Sequence, residues 1–554
     1  MRHLKTVFQI GIPLLLACLA GWASFWTDSE MWAASASQWW LRGSPYYDFS
    51  LKPLFHALLY LNYTVARALD VHPMLTARAF FAGNAILCVL LVFRILRARG
   101  LPPALVTLAV LTLIGNSFFI KRFAQVRSDL LVTTLLLLLF DFTTRPFWET
   151  RKAWERVLLA LALSGLGVAI TPKSLPLFAL WCALFLYRDF RGPRGRRVFI
   201  GIGAFFLGAA ILNWRALVIL LNSFPERLMG AGYFEPVRLI HLVRWWIENP
   251  PLIALLGLTI WALPRRHRWQ EWEERTLWFA CAVLVFILVY PDRLPFFLAS
   301  LLPFLVLPCA FLLQKISTPP WLRRSVIAFS LFNLVFWGAF LFLRHDYRPQ
   351  ARRSAWAMKT FGENPALTIY DPVGVIPLSA AQNWFVGPAE KGNAFALENF
   401  LRNRVDVLLY ADKMAILEPR LSQILREQYW PDGAGLFFRA PRIPSRIVAD
   451  AQLKPGELRD WLKTEFPRFF DHPDVPLYFV VRSPEGVNLT RFASITYRFG
   501  DTGTFEGTLK TGDLEQIQKI ALPAKNVEVI VLPLLTLTPD ATPWADLFRF
   551  DPEI

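Results

Sequence analysis

Charge is scarce in this chain. Only 18% of its 554 residues are Asp, Glu, Lys or Arg, where a soluble protein carries about a quarter. That shortfall excludes an ordinary soluble enzyme over most of the length. Cysteine is scarce too: Cys18, Cys88, Cys182, Cys281 and Cys309 all lie in or beside apolar segments. None falls in the polar C-terminal third, which excludes a disulfide framework or a cysteine metal cluster there. The sequence has no P-loop, no Gly-rich dinucleotide fingerprint, no low-complexity tract and no internal repeat, so it carries no nucleotide-binding signature. Histidine is sparse and scattered. His56, His72 and His241 therefore read as packing or interface residues and not as a metal-ligand set. The first apolar run lacks a small-residue cleavage site after Arg2 and Lys5, and it reads as a retained helix.

What fills the chain is apolar: 55% hydrophobic residues, with 22 Trp and 47 Phe. Stretches of bilayer-crossing length recur, and the aromatic residues suit membrane interfaces. Spans are predicted near 7–26, 75–93, 101–117, 130–143, 157–171, 175–187, 198–221, 250–264, 277–290, 294–313 and 325–343, about eleven in all. The net charge of +17 would suit nucleic acid, but the basic residues sit in short loops between spans. That is the positive-inside pattern, and it excludes a nucleic-acid partner. Arg94, Arg97 and Arg99, the basic cluster at 188–197, and Arg265, Arg266 and Arg268 mark one side with Arg2 and Lys5. The chain is thus read as a multi-pass protein of the cytoplasmic (inner) membrane with its N-terminus inside. An odd span count puts the C-terminal domain on the periplasmic or extracytoplasmic side.

Composition changes near residue 345. The fold class expected is a polytopic α-helical membrane protein with a C-terminal soluble α/β domain: 1–344 transmembrane, 345–554 exported. Residues 367–371, 405–411, 435–440, 477–481 and 527–532 read as strands, with helices at 393–403, 414–428 and 456–466 between them. Asn488-Leu489-Thr490 matches a glycosylation sequon, a short pattern without meaning in a bacterial host.

The outer loops hold both carboxylates and basic residues at helix ends, among them Asp28, Glu30, Asp48, Lys52, Arg127, Asp129, Lys173, Asp292 and Arg293. Basic residues against the topology rule need a local reason, and a phosphate at the outer surface supplies one. The stretch 28–53, DSEMWAASASQWWLRGSPYYDFSLKP, has an acid leaving the first span, a Gly-Ser-Pro turn, and Asp-x-x-x-Lys-Pro opening the next helix. It resembles the first outer loop of GT-C glycosyltransferases, particularly the lipid A aminoarabinose transferase and protein O-mannosyltransferase group. Asp28, Trp32, Ala33, Ala36, Gly43, Pro45, Tyr46, Asp48, Lys52 and Pro53 match, with one extra residue before Gly43. RSDLLVTTLLLLLF (127–140) resembles the second acidic motif, with Asp129 topping a span. AITPKSLPLF (169–178) resembles the family's lysine before a span, here Lys173. DRLPFFLASLLP (292–303) brings Arg293, Phe297 and Pro303 into register with a later span. Ser29 replaces a glutamate of the family pattern, which leaves Glu30 as a rival acid. Phe297 stands where the family has tyrosine and offers no hydroxyl.

The resemblance covers residues 1–345 and implies a polyprenyl-phosphate sugar donor, inversion at the anomeric carbon, and a lipid, glycan or protein acceptor at the outer face. The chemistry itself asks for a base near the acceptor hydroxyl and cations for the departing phosphate. Asp28 or Asp129, with Glu30 as rival, supplies the first; Lys52, Arg293 and Lys173 supply the second. No cofactor is required by the pattern, though a Mg²⁺ or Mn²⁺ ion between Asp28 and Asp129 is allowed by it. Each residue also has a plainer role. Lys52 can snorkel to the interface or pair with Asp48 one turn away, Asp28 can cap a helix, Asp129 can pair with Arg127 or Arg122, and Lys173 and Arg293 can face lipid headgroups. The alternative function is a lipid-linked sugar flippase or transporter, and a third is a non-catalytic membrane scaffold. Transporters place charge at the bilayer midplane and show internal repeats; this chain gathers charge on one face and shows none.

Overall fold

The computed structural model describes residues 2–24, 26, 30–31, 52–186, 193–212, 247–254, 257, 270–289, 295–314, 320–344 and 347–362. Beyond these it describes 368–371, 375, 382–384, 405–409, 429–431, 436–439, 447–451, 476–482, 496–499, 504–510 and 527–533. The chain divides into two compact units, Met1–Phe25 with Ala36–Tyr347, and Trp26–Ser35 with Arg348–Ile554.

The first unit is helical: α1 (Arg2–Ala23), α2 (Pro53–Ala68), α3 (Pro73–Ala98), α4 (Pro103–Ile114), α5 (Ser117–Arg122), α6 (Ser128–Thr143), α7 (Pro146–Thr150), α8 (Ala153–Ile170), α9 (Leu175–Phe185), α10 (Pro193–Leu212), α11 (Glu271–Val289), α12 (Pro295–Gln314) and α13 (Pro320–Arg344). Many open on proline, which has the right φ for a first helical turn and no N–H to leave unpaired. Among the described residues three stretches, Pro73–Ala98, Ala153–Ile170 and Arg323–Leu343, are long and apolar enough to cross a membrane; Gln9–Ala23, Pro103–Ile114, Leu175–Phe185, Ile200–Ala209 and Leu302–Gln314 are shorter apolar helices. Ten of the predicted spans overlap a helix in this series; the span expected at 250–264 is helical over 250–254 and at 257, its other residues lying outside those described. Helix α2 was expected to begin at the Lys52-Pro53 pair and does, without being a predicted span.

Helix α4 is buried all round from Leu105 to Ile114, the mark of a central helix. It ends at Gly115, where a Cβ would strike the carbonyl oxygen of Ser330 on α13; only a small residue lets the two backbones meet there. The aromatic core gathers on α6, where the Phe140 ring meets Trp181, Phe185, Trp272, Phe279 and Phe304 at centroid separations of 4.9 to 6.4 Å. At the same end of α6 the fully buried Asp141 receives Arg94 Nε at 3.2 Å and Arg145 Nε at 2.9 Å. Arg99 donates to the Thr143 carbonyl at 3.1 Å and lies 4.2 Å over the Trp272 ring. Basic residues of the expected cytoplasmic loops are thus also bonded to specific partners.

In the second unit, α14 (Arg348–Ala357) precedes two sheets. The first has the order β2-β1-β3-β5-β4, with β1 (Thr368–Tyr370), β2 (Gln382–Trp384) and β3 (Val407–Leu409) parallel, and β4 (Tyr429–Pro431) and β5 (Leu436–Arg439) antiparallel. The second, β6-β10-β7-β9-β8, is antiparallel throughout, formed by β6 (Ile447–Ala451), β7 (Pro476–Arg482), β8 (Thr496–Phe499), β9 (Thr504–Lys510) and β10 (Val527–Pro533). All five predicted strands are present, and β2, β4, β6, β8 and β9 add to them. The helices expected at 393–403, 414–428 and 456–466, and the sequon, lie outside the described residues. The residues after α1 are tied to α14 within this unit. Trp26 N donates to Gln350 Oε1 at 2.7 Å, and Gln350 Nε2 donates back to Trp26 O at 2.9 Å.

Candidate functional site

Lys52 stands at the N-cap of α2, its own side chain making no cap hydrogen bond, with Pro53 fixing the first turn behind it. Across from it, extended Arg127 delivers the chain into α6, whose first turn carries Ser128 and Asp129. Lys52 Nζ donates to Ser128 Oγ at 3.4 Å, a long hydrogen bond. An ammonium is thereby held where two helices of 16 residues begin. Helix N-termini carry partial positive charge, so a cation placed there gains from an added anion. Phe55 floors the ammonium, its ring centroid 5.7 Å from Nζ. His56, one residue on and buried, has its imidazole pKa pushed down to about 3, first by burial and then by the charge of Lys52. It is neutral at physiological pH and adds no positive charge.

Asp129 is paired with its neighbour Arg127, Nε to Oδ2 at 3.4 Å, in the first turn where a carboxylate suits the helix dipole. Its other suggested partner, Arg122, donates to Gln125 Oε1 at 2.6 Å. Lys121 is taken up by Glu248 at 3.6 Å and lies 4.1 Å over the Trp337 ring. Glu248 also accepts from Ser117 Oγ at 3.2 Å, while Asn249 Oδ1 accepts from Ser117 N at 2.7 Å.

Glu30 is described in the second unit and is fully buried. Lys173 lies in the one-turn 3₁₀ helix Pro172–Ser174 between α8 and α9, held by Ser174 Oγ donating to Thr171 O at 2.8 Å. Asp28, Asp48 and Arg293 lie outside the described residues. The structure thus brings Lys52 to the head of α6, beside the residue that precedes Asp129. Among the described residues no three His, Cys, Asp or Glu side chains group as metal ligands. Asp129 is engaged by Arg127.

Sequence reasoning missed Ser128, the Ser117–Glu248–Asn249 group, and Arg78. Only Arg78 left a signal, as a lone arginine within an apolar run.

No protein-family model matches the sequence, and no curated protein is similar to it. Solved structures are. ArnT from Cupriavidus metallidurans in the apo state superposes with a TM-score of 0.51 at 13% identity, covering 77% of this chain and 95% of its own. The same protein bound to undecaprenyl phosphate gives 0.49 at 12%, covering 72% and 88%. At such identity the likeness is one of architecture: this chain shares the fold of ArnT.

Proposed function

We propose that this chain is a membrane glycosyltransferase that moves a sugar from a polyprenyl-phosphate donor to a lipid, glycan or protein acceptor at the outer face of the cytoplasmic membrane. The observation that carries the reading is the ammonium of Lys52 at the heads of α2 and α6, 3.4 Å from Ser128 Oγ. It is a site suited to a phosphate in a chain with the fold of ArnT.

The residues take the following roles. The acceptor hydroxyl gives its proton to a carboxylate, assigned to Asp28 with Glu30 and Asp129 as the other acids. The acceptor oxygen attacks the anomeric carbon from the face opposite the leaving group, forming the new glycosidic bond with inversion. The bond from that carbon to the donor phosphate oxygen breaks, and its electron pair leaves on the phosphate. Lys52 balances the charge gained there, helped by Arg293 and Lys173. Cations fixed in advance need no rearrangement as that charge develops. The reading includes the orientation in which 1–344 spans the membrane and 345–554 lies outside the cytoplasm.

The purified protein in liposomes, given undecaprenyl-phosphate-linked aminoarabinose and mannose, tests this. Mass spectrometry should show sugar leaving the lipid and arriving on an acceptor. Donor that crosses the bilayer with its sugar intact would make the chain a flippase instead.

A further inference from the structure

Arg78 is a fully buried arginine in the second turn of α3. Its Nη1 donates to Gly21 O and Trp22 O, each at 3.3 Å, to Ser24 Oγ at 3.2 Å, and to Ser24 O. These carbonyls belong to the end of α1, where a helix leaves its last C=O groups without intrahelical donors. Helix α1 has no basic residue of its own in that turn. Arg78 therefore supplies from another helix the cation that favours a helix C-terminus. The tie runs both ways: Trp22 Nε1 donates to Leu75 O at 3.4 Å on α3. Ser24 Oγ donates back to Gly21 O at 2.7 Å, closing the turn on itself.

A buried guanidinium is costly, and packing α1 against α3 would ask only for apolar side chains there. What the arginine adds is a fixed backbone at residues 21–24, from which the chain runs directly to Trp26, Asp28 and Glu30. We propose that Arg78 is a positioning residue, a clamp on the exit of α1 that sets the register of the acidic segment following it. The inference rests on the glycosyltransferase reading, in which that segment supplies the base. Misplacing a catalytic group by about 1 Å can lower a rate about a hundredfold without touching ground-state binding elsewhere. Arg78 would act on turnover and not on donor affinity, which belongs to Lys52.

The test uses the full-length protein in liposomes with Arg78→Lys, Arg78→Met and Ser24→Ala. Three readouts are taken: undecaprenyl phosphate affinity, transfer from the two sugar donors above, and hydrogen exchange of residues 19–26. The expected result is a kcat about tenfold to a hundredfold lower in Arg78→Met, with affinity within about twofold and faster exchange at 19–26 only. Arg78→Lys should recover part of the rate, and Ser24→Ala should speed exchange mildly. If Arg78→Met does not fold, the other two variants carry the comparison. Affinity, kcat and thermal stability falling together would reduce Arg78 to a structural role, and an unchanged kcat would remove it from the reaction. Should wild-type protein move neither sugar, the functional reading fails. The clamp is then still judged by exchange, and unchanged exchange in Arg78→Lys and Ser24→Ala overturns it.

Discussion

Lys52 and Ser128 are 76 positions apart in sequence, yet the ammonium of one donates to the hydroxyl of the other at 3.4 Å, at the first turns of two helices. At that length the hydrogen bond is weak, and a phosphate oxygen would be the better acceptor. Charge-assisted contacts of this kind are worth about 1.5–3 kcal/mol, so Lys52→Ala should weaken undecaprenyl phosphate binding about tenfold or more. Ser128→Ala should cost less than that, since it removes a neutral partner. Equal affinities in wild type and a folded Lys52→Ala protein would return Lys52 to an interface anchor.

Asp28 and Glu30 separate by a direct comparison. Loss of a general base costs about 10²–10⁴ in rate, so Asp28→Asn should nearly silence transfer while Glu30→Gln keeps most of it. Asn retains the size and capping ability of Asp. Glu30 is fully buried, and Gln preserves its shape. An active Asp28→Asn beside a dead Glu30→Gln would move the base to Glu30.

Asp141 should matter for stability and not for the donor. Its carboxylate is inaccessible, while Arg94 and Arg145 reach solvent. Removing the acid therefore leaves cations that can rehydrate, and the loss falls below the full cost of a broken buried pair. Asp141→Ala should cost about 2–3 kcal/mol, read as a fall in unfolding temperature in detergent. Undecaprenyl phosphate affinity should hold. A large loss of affinity in the folded variant would tie this end of α6 to the donor.

His72 predicts an acid limb. Its Nδ1 accepts from Met74 N at 3.2 Å and caps α3, and burial pushes its pKa down from 6.5 to about 4. The folded state thus favours the neutral ring. Its contribution is whole above pH 6.5 and is lost as pH falls from 6.5 through about 4. His72→Asn keeps a capping oxygen without a proton to gain, so the part of the stability loss that arises in this window from His72 should vanish, with a cap worth about 1 kcal/mol retained. Identical acid limbs in the two proteins would clear His72.

Local periodicity and punctuation determined the elements. Long apolar runs located ten of the helices, with several ends five or six residues away from those expected, because a helix in or against a bilayer satisfies its backbone internally and needs only an apolar surface. Pro53 after Lys52 marked the start of α2, and the runs around 369, 408, 437, 479 and 530 marked strands, because these preferences act over a few neighbouring residues. Short β2 and β4 carry too few residues for alternation to register. What only the tertiary structure decided are the pairings across long separations. Arg78 reaches Ser24 over 54 positions, Ser117 reaches Asn249 over 132, and Trp26 reaches Gln350 over 324. A lone arginine in an apolar run announces that something must meet its charge, but the partner here is a set of main-chain carbonyls, which every sequence possesses at every position. Which carbonyls lie within reach depends on how α1 and α3 pack, and that is settled by side-chain fit along both helices together.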